Sequence, residues 1–314
     1  DLFQTKFSDK FTIGTDGITT NKFNEILDEE IIIIKRKIQN LTYNVSTYKE
    51  KLILKDRNSN PRMISIPTNR DRLIFSALTS YITDNFKGKL YSNNIHTKIL
   101  DIKTVIEEQK YDSFIKIDIE NFYPNIDHEI LIKKVSKKIN DEAALNLLNK
   151  AITKHTLSIK SNKSVEPATK GIPQGLSFSN VLSSIYFQKF DKKYSQNSNI
   201  SYHRFVDDIL ILCNSTDIES IKKSIIKDIK KLKLTVHDFK ENSSKSTIGL
   251  IEKDIFEYLG YKFNNKNISI RDSSVDKLRD TIINTFRESK NEKELYRKLN
   301  LKITGCLYGF HSSL

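Results

Sequence analysis

The sequence predicts an α+β fold built on an antiparallel split βαβ sheet with helices on one face. Three observations carry this. FIKIDIENFY, from Phe114, alternates as a strand does: Ile115, Ile117 and Ile119 share one face, and Lys116, Asp118 and Glu120 the other. HRFVDDILIL, from His203, reads as two short strands around an Asp-Asp turn. Amphipathic helical segments separate these runs from each other and from a later strand, giving the order β-α-β-β-α-β.

The elements follow in order. Residues 21–40 read as a basic amphipathic helix interrupted by the apolar run Ile31 to Ile34. From Lys51 to Pro67, two β-rich runs flank a turn rich in Asn, Ser and Pro, the pattern of a hairpin. A helix over 72–86 places Leu73, Ala77, Leu78 and Tyr81 on its apolar side. Helical segments occupy about 127–155. Ser177 or Ser179 is placed to cap the next helix, whose stripe runs through Leu182, Ile185, Tyr186 and Phe190. A basic helix over about 217–232, a strand near 234–236 and a hairpin in FEYLGYKF, from Phe256, complete the pattern.

At 314 residues the chain is long enough for two or three subdomains, and 38% hydrophobic residues suffice for packed cores. Lysine and arginine number 52 against 39 acidic residues, a net charge of +13 that favours a polyanionic partner, nucleic acid first. The two cysteines, Cys213 and Cys306, form no disulfide framework and show no zinc spacing, which fits a reducing cytoplasm. No apolar run approaches the roughly 18 residues of a membrane span, and the start lacks a signal-peptide pattern. The chain begins at Asp1 and its one methionine is Met63, so the native start is expected to lie upstream.

Aspartates at strand ends give the pattern its chemistry. Asp118 ends one strand, and Asp207 with Asp208 occupies a hairpin tip between apolar flanks. Singly, each reads as a polar turn or an exposed edge. Together, on neighbouring strands, they would meet at one sheet edge. Carboxylates so placed suit hard divalent cations, which take oxygen ligands. Nucleotidyl transfer needs two such ions about 3.5–4 Å apart and little covalent help. Between the acids, ATKGIPQGLSFSNVLSSIY, from Ala168, carries Gly171 and Gly175 for close backbone approach, Pro173 to stiffen the turn and Gln174 to hydrogen-bond a nucleotide or base.

IDIENFY, GIPQGLSFSN and FVDD, in this order, resemble three signature blocks of reverse transcriptases of the bacterial group II intron-like type. The likeness extends to GTDGIT at Gly14, to KDRNSNPRMISIP as a fingers hairpin, to ENSSKSTIG and to FEYLGYKF as a primer grip. The resemblance implies a right-hand polymerase: fingers over 1–113, palm over 114–265 with a fingers excursion near 156–172, and a short helical thumb over 266–314. It implies catalytic, metal-binding roles for Asp118, Asp207 and Asp208, assisted by the Ile119 carbonyl. Tyr123 would be the aromatic gate against a ribose 2′-hydroxyl, and Gln174 would sit beside the incoming nucleotide. Lys55 and Arg62 would grip the triphosphate, and Lys245 would lie near the pyrophosphate. Two magnesium ions, replaceable by manganese, are the implied cofactor. The implied partners are an RNA template or noncoding RNA, a DNA primer or product and dNTP, with a partner protein or homo-oligomer left open and no membrane.

Some positions depart from the family pattern. Phe205 stands where a Tyr is usual before the aspartates, and YSNNIHTKIL lacks a Gly-Phe-Arg element. With no endonuclease or RNase H-like motif in view, the chain is most similar to defence-associated or abortive-infection enzymes, which implies antiphage defence in the cytoplasm. Three alternatives stay open: an RNA-dependent RNA polymerase, template-independent protein-primed DNA synthesis, and an inactive RNA-binding or partner subunit.

Overall fold

In the computed structural model, residues 13–54, 61–91, 94–157, 166–240 and 245–311 are described. The first half of the chain runs α1 (Thr20–Glu25), α2 (Leu27–Gln39), β1 (Tyr48–Ile53), β2 (Arg62–Ile66), α3 (Asn69–Asn85) and α4 (Ile95–Glu107). Then come β3 (Ser113–Asp118), α5 (Phe122–Asn125), α6 (His128–Val135), α7 (Glu142–Thr153), β4 (Thr156–Leu157) and α8 (Ser179–Ser195). The rest comprises β5 (Ser201–Phe205), β6 (Asp208–Cys213), α9 (Ile218–Lys231), β7 (Thr247–Leu250), β8 (Ile255–Tyr258), β9 (Tyr261–Asn264), β10 (Asn267–Ile270), α10 (Asp272–Glu288) and α11 (Glu292–His311). No helix among the described residues is long and apolar enough to cross a membrane.

Two compact units form. One comprises residues up to Tyr91, Asn121–Lys189 and Lys230–Leu234. Its sheet has the order β2-β1-β4, with β1 and β2 antiparallel and Lys49 opposite Ile66. Acidic residues open α2 (Asp28, Glu29, Glu30) and basic residues close it (Arg36, Lys37), complementing the helix dipole. Thr68 caps α3 by accepting from the Asp71 amide. The buried Asp71 carboxylate accepts in turn from Tyr43 Oη (2.8 Å), Thr68 Oγ1 (2.7 Å) and the Ser46 amide (3.2 Å). A polar group out of water is thereby satisfied.

The other unit comprises Ser92–Glu120, Phe190–Ile229 and the chain from Thr235 onward. Its four-stranded sheet has the order β5-β6-β3-β7, every neighbouring pair antiparallel. Reading β3, β5, β6 and β7 as strands one to four, this is the split βαβ order, with β7 in the place the sequence pattern gave to a strand near 234–236. Ile99, Ile102 and Ile106 of α4 pack with Phe114, Leu210 and Leu212 of this sheet. Phe256, Tyr258, Tyr261 and Phe263 of the smaller β8-β9-β10 sheet close the same core, with the Phe256 and Phe263 rings stacked at 4.8 Å.

Several sequence expectations need correction. The break in the first helix falls at Ile26, not at the apolar run, of which Ile34 is buried and Ile32 exposed. The core side of α3 is Ile74, Phe75, Leu78 and Ile82; Leu73, Ala77 and Tyr81 line an apolar cavity of about 660 Å³ shared with α2 and α7. Of the expected stripe Leu78 is in the core, while Ile74 and Leu78 face both the core and the cavity. The strand near 234–236 shrinks to one bridge, Ile119 opposite Val236. Strand β10 was not anticipated. Ser179 is the first residue of α8, and its Oγ donates to the Pro173 carbonyl (2.9 Å).

Candidate active site

Strands β3 and β6 fix the acids. Asp118 and Asp208 are the terminal pair of the β3–β6 ladder, directly opposite each other. Directly opposed antiparallel residues have Cα atoms about 4.5–5.5 Å apart, so the two carboxylates share one edge. Asp207 immediately precedes Asp208, in the two-residue turn between β5 and β6. The arrangement follows from sequence: apolar β-formers hold both strands in the sheet, and the acids begin where burial ends.

Electrostatics mark this edge as strained without added charge. Asp208 Oδ1 is out of water and has no hydrogen-bond partner. Burial, reinforced by the carboxylates of Asp118 and Asp207, pushes the Asp208 pKa up to about 7, although Lys116 and Lys245 oppose the shift. Lys245 Nζ donates to Asp118 Oδ2 at 2.5 Å. His237 Nε2 lies 3.6 Å from the same oxygen, and its Nδ1 3.7 Å from Glu120 Oε1. Ser246 Oγ accepts from the Asp118 amide at 3.2 Å, and Tyr258 Oη donates to the Asp208 carbonyl at 3.4 Å. The bridge beside Ile119 uses the Asp118 carbonyl and the Glu120 amide, leaving the Ile119 carbonyl out of it.

The other predicted residues belong to the other unit. Tyr123 sits in α5, and its Oη donates to Asn180 Oδ1 at 2.7 Å, while Phe122 packs on Phe187. Gln174 is half-buried, and its carbonyl accepts from the Ser65 amide (2.7 Å), tying its loop to β2. Gly175 has φ +98°, and a Cβ there would come within 2.7 Å of Ile64 Cγ2, so glycine is required. Arg62 opens β2, exposed. Lys55 lies outside the described residues.

A family model described as reverse transcriptase (RNA-dependent DNA polymerase) matches residues 18–263. The chain belongs to this family. Among curated relatives, this chain is 26% identical over 198 residues to the group II intron-encoded protein LtrA of Lactococcus lactis subsp. cremoris, covering 60% of this chain and 32% of LtrA. It is 24% identical over 192 residues to protein YkfC of Escherichia coli (strain K12), covering 58% of this chain and 49% of YkfC. The chain thus spans about a third to a half of the length of these relatives. Among solved structures, apo telomerase from Candida tropicalis superposes with a TM-score of 0.55 at 13% identity, over 94% of this chain and 63% of that one. Telomerase from Candida albicans in complex with a fragment of telomeric RNA gives 0.53 at 14%, over 94% and 59%. These likenesses establish the right-hand polymerase type of fold.

The donor chemistry of this edge fits divalent cations: carboxylate oxygens, one of them buried and unpartnered, with excess negative charge. In this conformation no three His, Cys, Asp or Glu side chains among the described residues form a group that could hold an ion, and Lys245 engages Asp118 instead. Sequence reasoning missed His237, Ser246, Tyr258 and Lys116. Only Lys116 left a signal, as a cation set between Ile115 and Ile117 on a strand buried on both faces.

Proposed function

We propose that this chain carries out RNA-directed DNA synthesis, with Asp118, Asp207 and Asp208 as the metal-holding carboxylates. The register that sets Asp118 opposite Asp208, with Asp207 beside it, carries the reading. In the reaction the primer 3′-oxygen forms a bond to the α-phosphorus of a dNTP. The bond to pyrophosphate breaks, and the hydroxyl proton leaves to solvent. Magnesium or manganese bound by the carboxylates supplies the charge that acidifies the hydroxyl and stabilises the leaving pyrophosphate.

The chain's own groups position and neutralise. Lys245 shields Asp118 until it is drawn away, and its ammonium then suits the pyrophosphate charge. By resemblance to the family, Tyr123, held by Asn180, would select the sugar, and Gln174, Arg62 and Lys55 would serve the nucleotide and its phosphates. Fingers span about 1–113, palm about 114–265 and thumb about 266–314. RNA template and DNA primer bind mainly through backbone phosphates, as +13 suits. A cytoplasmic role in antiphage defence is the finer reading; the missing Gly-Phe-Arg element in YSNNIHTKIL, a departure from mobile intron enzymes, supports it.

Primer extension on an RNA template with dNTP and magnesium tests the activity. Wild type extends the primer, and Asp207→Asn loses at least about 100-fold. No extension by wild type, or equal extension by the variant, overturns the proposal. Protection of phage-challenged cells by wild type and not by Asp207→Asn tests the defence role.

A further inference from the structure

Below the catalytic turn lies a buried ion pair that the proposed chemistry does not use. Arg204, on β5, is fully buried, with a relative exposure of 0%. Its Nε donates to Asp191 Oδ1 at 2.7 Å, and its Nη2 to Asp191 Oδ2 at 2.6 Å, a planar bidentate match to the carboxylate on α8. Tyr202 Oη donates to the same Oδ1 at 2.7 Å. The remaining arm, Nη1, donates to the Val206 carbonyl at 2.8 Å.

That carbonyl belongs to the peptide joining Val206 to Asp207. Its direction sets the plane from which the Asp207 side chain departs. Val206 has φ +56°. A two-residue hairpin turn needs positive φ in its centre and normally uses glycine there. A β-branched residue in that region is strained and persists only when its surroundings hold it. A pair buried this deeply is expensive to desolvate, and well-packed apolar residues of similar volume are often at least as stabilising in such a place. The pair therefore calls for a role beyond stability.

We propose that Arg204, braced by Asp191, is a positioning residue for the catalytic turn. It locks the Val206–Asp207 peptide so that Asp207 and Asp208 face Asp118. The proposal rests on reading these aspartates as the metal-holding carboxylates. Lysine cannot replace Arg204, because one ammonium cannot satisfy both the Asp191 fork and the Val206 carbonyl.

The test compares Arg204→Lys with the triple variant Asp191→Leu/Tyr202→Phe/Arg204→Met, which removes the pair and its phenol together, so that neither charge of the pair is left without the other. Ile229→Ala, a core truncation on α9, serves as the control for lost stability. Folding is followed by circular dichroism and Tm, and primer extension gives turnover, dNTP KM and the magnesium half-saturation. Both clamp variants are expected to fold, lose about 10- to 100-fold in turnover and need correspondingly more magnesium. Their dNTP KM should stay within about twofold, while Ile229→Ala lowers Tm and leaves the magnesium response alone. A folded clamp variant with wild-type turnover and magnesium response overturns the proposal, as does an equal magnesium shift in Ile229→Ala. Unfolding of both clamp variants also counts against it, since the role would then be structural. A wild-type chain that makes no DNA removes the active-site reading itself, a failure distinct from these.

Discussion

Replacing Asp208 with Asn should stabilise the metal-free protein while abolishing DNA synthesis. The magnitude follows from the strain at the sheet edge. Burial and the two neighbouring carboxylates raise the Asp208 pKa from 3.8 to about 7. At about 1.36 kcal/mol per unit, ionised Asp208 costs at most about 4 kcal/mol at pH 8. Partial exposure of the residue and the polar needs of an Asn amide reduce the gain to about 2 kcal/mol. The sign is set by a folded pKa above the unfolded one. Wild-type stability from this group is complete below pH 3.8 and is lost as pH rises through 7. The variant lacks that slope, so its advantage grows from pH 5 to pH 8. Urea denaturation of both proteins in EDTA at these two pH values measures it. A variant no more stable at pH 8, or an advantage that does not change with pH, would show that ionised Asp208 is not strained in the folded protein.

Other consequences can be checked separately. His203, buried beneath the turn and near the Lys98 charge, has its pKa lowered to about 4, below the ordinary 6.5. The unfolded chain takes the proton first, so wild type should lose about 2 kcal/mol between pH 7.5 and 5, and His203→Gln should flatten this slope in urea melts. Gly175→Ala forces a Cβ against Ile64 in a left-handed backbone and should cost about 1–3 kcal/mol, read as a fall in Tm. Tyr123→Ala should raise incorporation of rNTP relative to dNTP by about 10-fold or more, whereas Tyr123→Phe keeps the ring and should keep discrimination.

The sheet edge was legible in sequence because a period of two with isoleucines on one side leaves little doubt about which residues pair. An acid ending each apolar run then marks the shared edge. The clamp was not legible. Arg204 stands in the same motif as the aspartates, but its partner Asp191 is on a helix whose pattern shows only an apolar stripe, and no local rule links the two. Alternation placed Lys116 on the face of Asp118 and Glu120 but could not show that α4 and the β8–β10 sheet cover that side. Similarly, α3 carries apolar side chains on two sides, and periodicity cannot tell the side facing the core from the one lining a cavity. His237 reaches Asp118 through a bridge that substitutes for the anticipated strand, a long-range pairing with no composition signal.

On the proposed reading, Asp118, Asp207 and Asp208 act together as one cation-binding edge. Titrating manganese into the protein with dNTP present, followed by electron paramagnetic resonance, tests it directly. Wild type should bind manganese, and Asp118→Asn and Asp207→Asn, each shown to be folded, should both lose binding. Undiminished manganese binding in either folded variant would contradict the account.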